Sequence, residues 1–208
     1  MKIKENQSPY MQSLKLRILE TAMKAFVERG VKFVRMDDIA QSLGISKRTL
    51  YQIYEGKEQL IYEGLRQYRL KRQAEIDLLL KNSKSVMDII LYIYRMKVEE
   101  FRQINSDFIT EIVRYPSVQK LFSEDTQRSH EQFIGFLKKG VDEGIFRKEL
   151  DLELIFVMFS AIGTYISEKR LYTTYEIDRL FKDLIFVSLR GFCTLEGQKQ
   201  LDRMEKEL

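Results

Sequence analysis

Residues 36–54 read Met-Asp-Asp-Ile-Ala-Gln-Ser-Leu-Gly-Ile-Ser-Lys-Arg-Thr-Leu-Tyr-Gln-Ile-Tyr, and the fold follows from this stretch. Asp37 and Asp38 fall in a first helical turn, where negative charge complements the helix dipole. Ile39 and Leu43 lie one turn apart and face inward, and Ala40 is small enough for a second helix to cross close by. Gly44 suits a left-handed turn because it has no Cβ. Ile45 plugs the corner, Ser46 is a good N-cap for the next helix, and Leu50 returns that helix to the core. Two short helices joined by a three-residue connector make a helix-turn-helix. Its second helix carries Lys47, Arg48, Thr49, Tyr51 and Gln52 on or near the outer face. Cations and an amide at the start of such a helix suit phosphates and base edges. Lys47, Arg48 and Gln52 are the expected base readers. Thr49, Tyr51, Tyr54 and Lys57 are assigned mainly to phosphates, with Ser46 beside them.

Outward from this motif, the chain of 208 residues is 44% apolar and 32% charged, with two prolines and ten glycines. So few breakers among so many Leu, Ile, Glu, Lys and Arg predict an all-α protein. The net charge of +4 is unevenly placed: residues 1–60 hold 11 Lys/Arg against 7 Asp/Glu, and the rest is balanced. A basic N-terminal module on a neutral body is expected to meet a polyanion.

Residues 1–12 read as a ragged polar start, followed by a helix over about 13–29 that ends at Gly30. After the helix-turn-helix, apolar periodicity predicts helices over about 57–80, 84–104, 107–114, 118–143, 151–169 and 175–192, with a polar, fraying tail from 197. The domain boundary is expected after residue 58, giving a helix-turn-helix DNA-binding domain (1–58) and a helical body (59–208).

The single cysteine, Cys193, permits no intramolecular disulfide and fits a cytoplasmic address. No apolar signal segment is read near the N-terminus. The stretch 152–166 is too short and too polar to span a membrane. No metal-ligand spacing, nucleophile elbow or phosphate loop occurs, so neither enzyme activity nor a metal or cofactor is expected.

The stretch Arg17–Leu60 resembles the DNA-binding domain of the TetR (tetracycline-repressor-like) family. The resemblance is carried by Arg-Ile-Leu-Glu-Thr-Ala at 17–22, Phe26, Gly30, Asp-Asp-Ile-Ala at 37–40, Gly-Ile-Ser at 44–46, Thr-Leu-Tyr at 49–51 and Lys-Glu-Gln-Leu at 57–60. Three positions depart from the family's habit. Arg35 stands where a Thr or Ser often caps the second helix and touches phosphate, a contact that its guanidinium can still reach; Arg48 stands where a small residue or Pro is usual, and Tyr54 where Phe is usual.

The resemblance implies a dimeric, ligand-responsive repressor of a palindromic operator, released by a small apolar effector. It also implies an all-helical C-terminal domain with a pocket and a two-fold interface. Helices 151–170 and 175–193 are apolar nearly all round and so need two buried faces, one of them on a partner subunit. Tyr92, Met96, Phe101, Phe108, Phe133, Met158 and Tyr165 are the candidates for the ligand site, although aromatics at helical spacing also build plain core. Arg95, Arg102, Arg114 and His130 are candidates to orient an acidic group. A TetR-type activator, a helical module that binds only protein, and a carrier of hydrophobic ligands stand as alternatives.

Overall fold

The computed structural model describes residues 8–124 and 126–208. Helix α1, Pro9–Arg29, starts earlier than the sequence predicts. Proline at a first helical position lacks an N–H that would go unbonded there anyway. The Ser8 hydroxyl accepts from the Met11 N–H at 3.3 Å. The polar start thus contains a helix signal, while residues 1–7 of that expected ragged segment lie outside the described residues. The inward face of α1 is the predicted one: Leu14, Ile18, Ala22, Ala25 and Phe26 are buried.

Helices α2 (Met36–Ser42), α3 (Lys47–Ile53) and α4 (Lys57–Asn82) follow. Then come α5 (Val86–Gln103), α6 (Ser106–Ile112) and α7 (Pro116–Glu124). Helices α8 (Thr126–Asp142) and α9 (Leu152–Glu168) lead to a continuous helical stretch. It comprises α10 (Ile177–Leu180), a π-helical segment Phe181–Phe186, and α11 (Val187–Phe192). Helix α12, Leu195–Lys206, ends the chain. Among the described residues the one extended pairing is an isolated antiparallel bridge between Phe146 and Cys193. No helix among them is long and apolar enough to cross a membrane. The fold is all-α.

Two compact units form. The first takes in the described residues up to Lys71 together with Gln103–Glu124. Its core gathers Phe26, Ile39, Leu50 and Leu60 with Phe108 of α6 and Val118 of α7. Helices α6 and α7, which the sequence places in the C-terminal domain, therefore pack with the helix-turn-helix. The single helix expected over 118–143 is divided accordingly. Pro116 opens α7, whose Val118 is buried in the first unit, whereas α8 buries Leu137 in the second.

The second unit comprises Arg72–Arg102 and the chain from α8 onward. Its α5 is capped by Glu143, whose Oε2 accepts from the Val86 N–H at 2.7 Å and from the Ser85 hydroxyl at 3.1 Å. The tail expected to fray is held. Leu201 and Met204 of α12 join the core, and the Thr194 hydroxyl accepts from the Gly197 N–H at 3.1 Å to cap the helix. Helix α9 is the reverse case. It is the most apolar helix of the chain, yet none of its residues is buried. Ile155, Met158 and Phe159 lean on the core, while Leu154, Val157 and Tyr165 stand exposed.

Candidate functional site

The helix-turn-helix forms as its residues dictate. Gly44 takes φ +65°, the left-handed turn that L side chains resist. The Ser46 hydroxyl caps α3, accepting from the Thr49 N–H at 3.0 Å and lying 2.8 Å from the Thr49 hydroxyl. Leu50 is fully buried and fixes the rotation of α3. Lys47, Arg48, Tyr51 and Gln52, spaced i, i+1, i+4 and i+5, are then exposed together on the opposite face. Lys47 pairs with Asp37 across the motif, a contact that sequence reasoning did not anticipate.

Arg35 occupies the N-cap of α2, and its side chain makes no capping hydrogen bond, since a guanidinium has no acceptor. The cap is built the other way round: the Arg35 N–H donates to the Asp38 carboxylate at 2.9 Å. Asp38 thus bonds a backbone donor as well as complementing the helix dipole. The Arg35 side chain is left exposed.

Tyr54 and Lys57 are placed differently from their neighbours. Tyr54 is buried, and its hydroxyl donates to the Lys15 carbonyl of α1 at 3.3 Å. Burial, with the charge of Glu63, pushes its phenol up to about 12. The expected phosphate contact from Tyr54 is therefore corrected: C-terminal to the last turn of α3, its ring falls on the core side and ties α3 to α1. Lys57 is half-buried and donates to the Val31 carbonyl at 2.7 Å. Burial lowers its pKa, partly offset by Glu111 and Asp38. Its ammonium keeps two further donors.

The second unit holds a half-open apolar cavity of about 380 Å³. Ile76 and Leu80 of α4 and Ile89, Ile90 and Ile93 of α5 form one side. Phe133 and Phe136 of α8, Phe159 of α9, and Phe181 and Phe186 of the π-helical segment form the other. Ser129 and Gln132 are its polar lining residues, and no lining side chain is ionisable. A π-helical turn gains a residue over an α-helical one, and here it lies where the stretch turns Phe181, Ile185 and Phe186 to the cavity.

Of the seven ligand-site candidates, Phe133 lines this cavity. Phe108 is corrected: it is buried in the core of the first unit. Tyr92 donates to Glu75 at 3.1 Å, Met158 packs on the second core, and Tyr165 is exposed. Met96 is half-buried and outside the cavity lining. Phe101 borders a separate, polar pocket of about 310 Å³, where Tyr172, Arg102 and Arg179 also lie. None of the four candidate cations lines the apolar cavity. His130 faces the Glu153 carboxylate at 2.6 Å, while Arg95 and Arg114 are exposed. Sequence reasoning missed the isoleucines of α4 and α5, because an aliphatic side chain reads alike against a cavity and against packed core. Among the described residues no group of three or more His, Cys, Asp or Glu is placed to hold a metal ion.

Residues 18–63 match the profile of the family described as "Bacterial regulatory proteins, tetR family". The chain is 27% identical over 148 residues to the HTH-type transcriptional repressor KstR2 of Mycolicibacterium smegmatis, covering 67% of this chain and 70% of that protein. It is 25% identical over 186 residues to the HTH-type transcriptional regulator YezE of Bacillus subtilis, covering 83% and 92% of the two chains. A TetR-family regulator from Marinobacter aquaeolei shares the fold with a TM-score of 0.70 at 19% identity, over 92% of this chain and 97% of the other. A transcriptional regulator from Saccharomonospora viridis, solved in complex with choline, does so at 0.68 and 20%, over 88% and 99%. The matched segment contains the whole helix-turn-helix, from the inward face of α1 to the start of α4, and the described fold extends the likeness through the remaining helices. Over residues 18–63 the chain thus carries the DNA-binding segment of the TetR family of transcriptional regulators, and its all-α fold is the one that regulators of this family share.

Proposed function

We propose that this chain is a dimeric repressor that binds a palindromic operator and is released by a small apolar effector. The observation that carries the reading is the exposed set Lys47, Arg48, Tyr51 and Gln52 on one face of a helix whose opposite side is anchored by Leu50. In this reading the DNA-binding domain is residues 1–58. Lys47, Arg48 and Gln52 read bases, and Arg35, Ser46, Thr49, Tyr51 and Lys57 hold the backbone. The similarity to KstR2, named a repressor, favours repression.

Dimerisation is supported by the unpartnered apolar faces of α9 and α11, where Leu154, Val157 and Val187 are exposed. Pairing these helices with a second copy makes a four-helix bundle. It would place two copies of α3 in major-groove sites about 34–36 Å apart or more. The effector reading rests on the 380 Å³ cavity. A molecule bound there acts by favouring the conformation it distinguishes, with a different spacing of the two α3 helices. The cytoplasm is the place of action this reading requires.

The test is selection of bound sequences from a pool of random duplexes at two salt concentrations. An enriched inverted repeat, with affinity falling steeply as salt rises, is expected. Absence of both enrichment and salt dependence refutes the reading and favours a module that binds only protein.

A further inference from the structure

The cavity in the second unit also limits the chemistry of its occupant. Its walls are aliphatic and aromatic, without an ionisable side chain. A charged ligand group placed there would lose its hydration and find no counter-ion on the wall. The informative polar residue is Gln132. Its Nε2 donates to the Gln73 carbonyl at 3.1 Å and to the Asp77 carboxylate at 2.8 Å. Both amide hydrogens are thereby used, and this sets which way round the amide sits. Asp77 is in turn bonded by Arg128 at 2.6 Å. These two bonds hold the Asp77 carboxyl below its usual range, so it remains an acceptor and keeps the amide turned. Gln73 is buried beneath. Gln132 lines the cavity, and the polar atom it has left is its carbonyl oxygen, which accepts from no group among the described residues.

We infer that the effector of this chain is an uncharged, largely apolar molecule with a hydroxyl or equivalent donor that bonds to the Gln132 carbonyl. This rests on the reading of the cavity as the effector site. A ligand offering only an acceptor at that point leaves two oxygens facing each other without a proton between them. A ligand carboxylate adds the same conflict to an unpaired charge. An alcohol completes the hydrogen bond and leaves the rest of its surface to the apolar wall.

The test uses the full chain and a matched series, each member below its micelle threshold: dodecanol, methyl dodecyl ether, dodecanoate and dodecylammonium. Each is titrated against bound phenylnaphthylamine, a neutral dye, by fluorescence displacement. Dodecanol is expected to displace the dye at a concentration about tenfold below the ether and about a hundredfold below either ion. Gln132→Leu, checked for native helicity by circular dichroism, is expected to weaken dodecanol about tenfold and leave the ether unchanged. An ion binding as tightly as dodecanol overturns the inference, as does an alcohol preference that survives in Gln132→Leu. If that variant does not fold, the native series still decides, because equal binding of alcohol and ether is equally fatal. Failure of the underlying reading looks different: the native protein then takes up neither the dye nor any member of the series.

Discussion

Replacing Leu154 and Val157 of α9 together by alanine tests the proposed dimer, through which the proposed operator would be read. Their side chains are 65% and 58% exposed in the single chain, on a helix that buries no residue of its own. Full burial of a Leu or Val is worth about 1.5–3 kcal/mol. Covering the exposed three-fifths is then worth about 1 kcal/mol or slightly more for each. A two-fold interface contains every residue twice, so the double variant removes four such contributions. The expected loss is about 3–5 kcal/mol, or roughly a thousandfold in the dimer dissociation constant at about 1.4 kcal/mol per decade. Sedimentation equilibrium across a wide concentration range measures it. Because the exposed face contributes little within one chain, the helical signal of the variant should match the native protein. Operator affinity should fall with the dimer, since the two half-sites are no longer bound as a unit. A native-like dimer constant in this variant would refute the assignment of this face to the interface.

Two other substitutions separate residues that sequence alone groups together. Tyr54→Phe removes a buried hydroxyl bonded within the first unit. It should cost about 0.5–1.5 kcal/mol in urea unfolding with no change in DNA affinity, whereas Tyr51→Phe should leave stability unchanged and weaken binding to all DNA sequences. A loss of DNA affinity in Tyr54→Phe at unchanged stability would contradict the placement of its ring. Gly197→Ala tests the docking of α12: alanine ordinarily stabilises a helix by about 1 kcal/mol over glycine, but a Cβ here would lie 2.2 Å from the Ile145 carbonyl oxygen. The backbone must yield, so a net loss of about 1–3 kcal/mol is expected by thermal unfolding, and a gain would show that α12 does not pack there.

The helix-turn-helix was legible because its parts act locally. Gly44, Ser46 and Leu50 each have one physical task within a few residues, and the structure shows each performing it. What escaped depended on distant partners. Tyr54 and Tyr51 are both aromatic and three residues apart, yet one is buried against α1 and the other exposed. Tyr54 stands one helical turn after the buried Leu50, but its hydroxyl invited a phosphate role. Phe108 and Phe133 are equally apolar, and only the folded chain shows that one fills the core of the first unit while the other lines a cavity in the second. The start of α1 was missed for a simpler reason: Ser8 and Pro9 form a compact cap signal that a polar context obscured.

The same contrast bears on how effector chemistry is written into the chain. A cavity differs from core by the volume left unfilled, and volume is a sum over helices far apart in sequence, so no single residue announces it. Polarity is different, because a buried polar atom must account for its hydrogen bonds. Gln132 has spent its two donors on Gln73 and Asp77, and its acceptor is what remains. The Arg128–Asp77 pair that holds this arrangement lies outside the cavity lining. If the cavity is the effector site proposed above, selectivity belongs to the amide and to the pair behind it, whereas affinity comes from the apolar wall. A relative could keep every apolar lining residue and still bind a different class of molecule by altering Asp77 or Arg128 alone. Comparison of effectors across this family should accordingly weigh the groups that turn the polar side chain as heavily as those that touch the ligand.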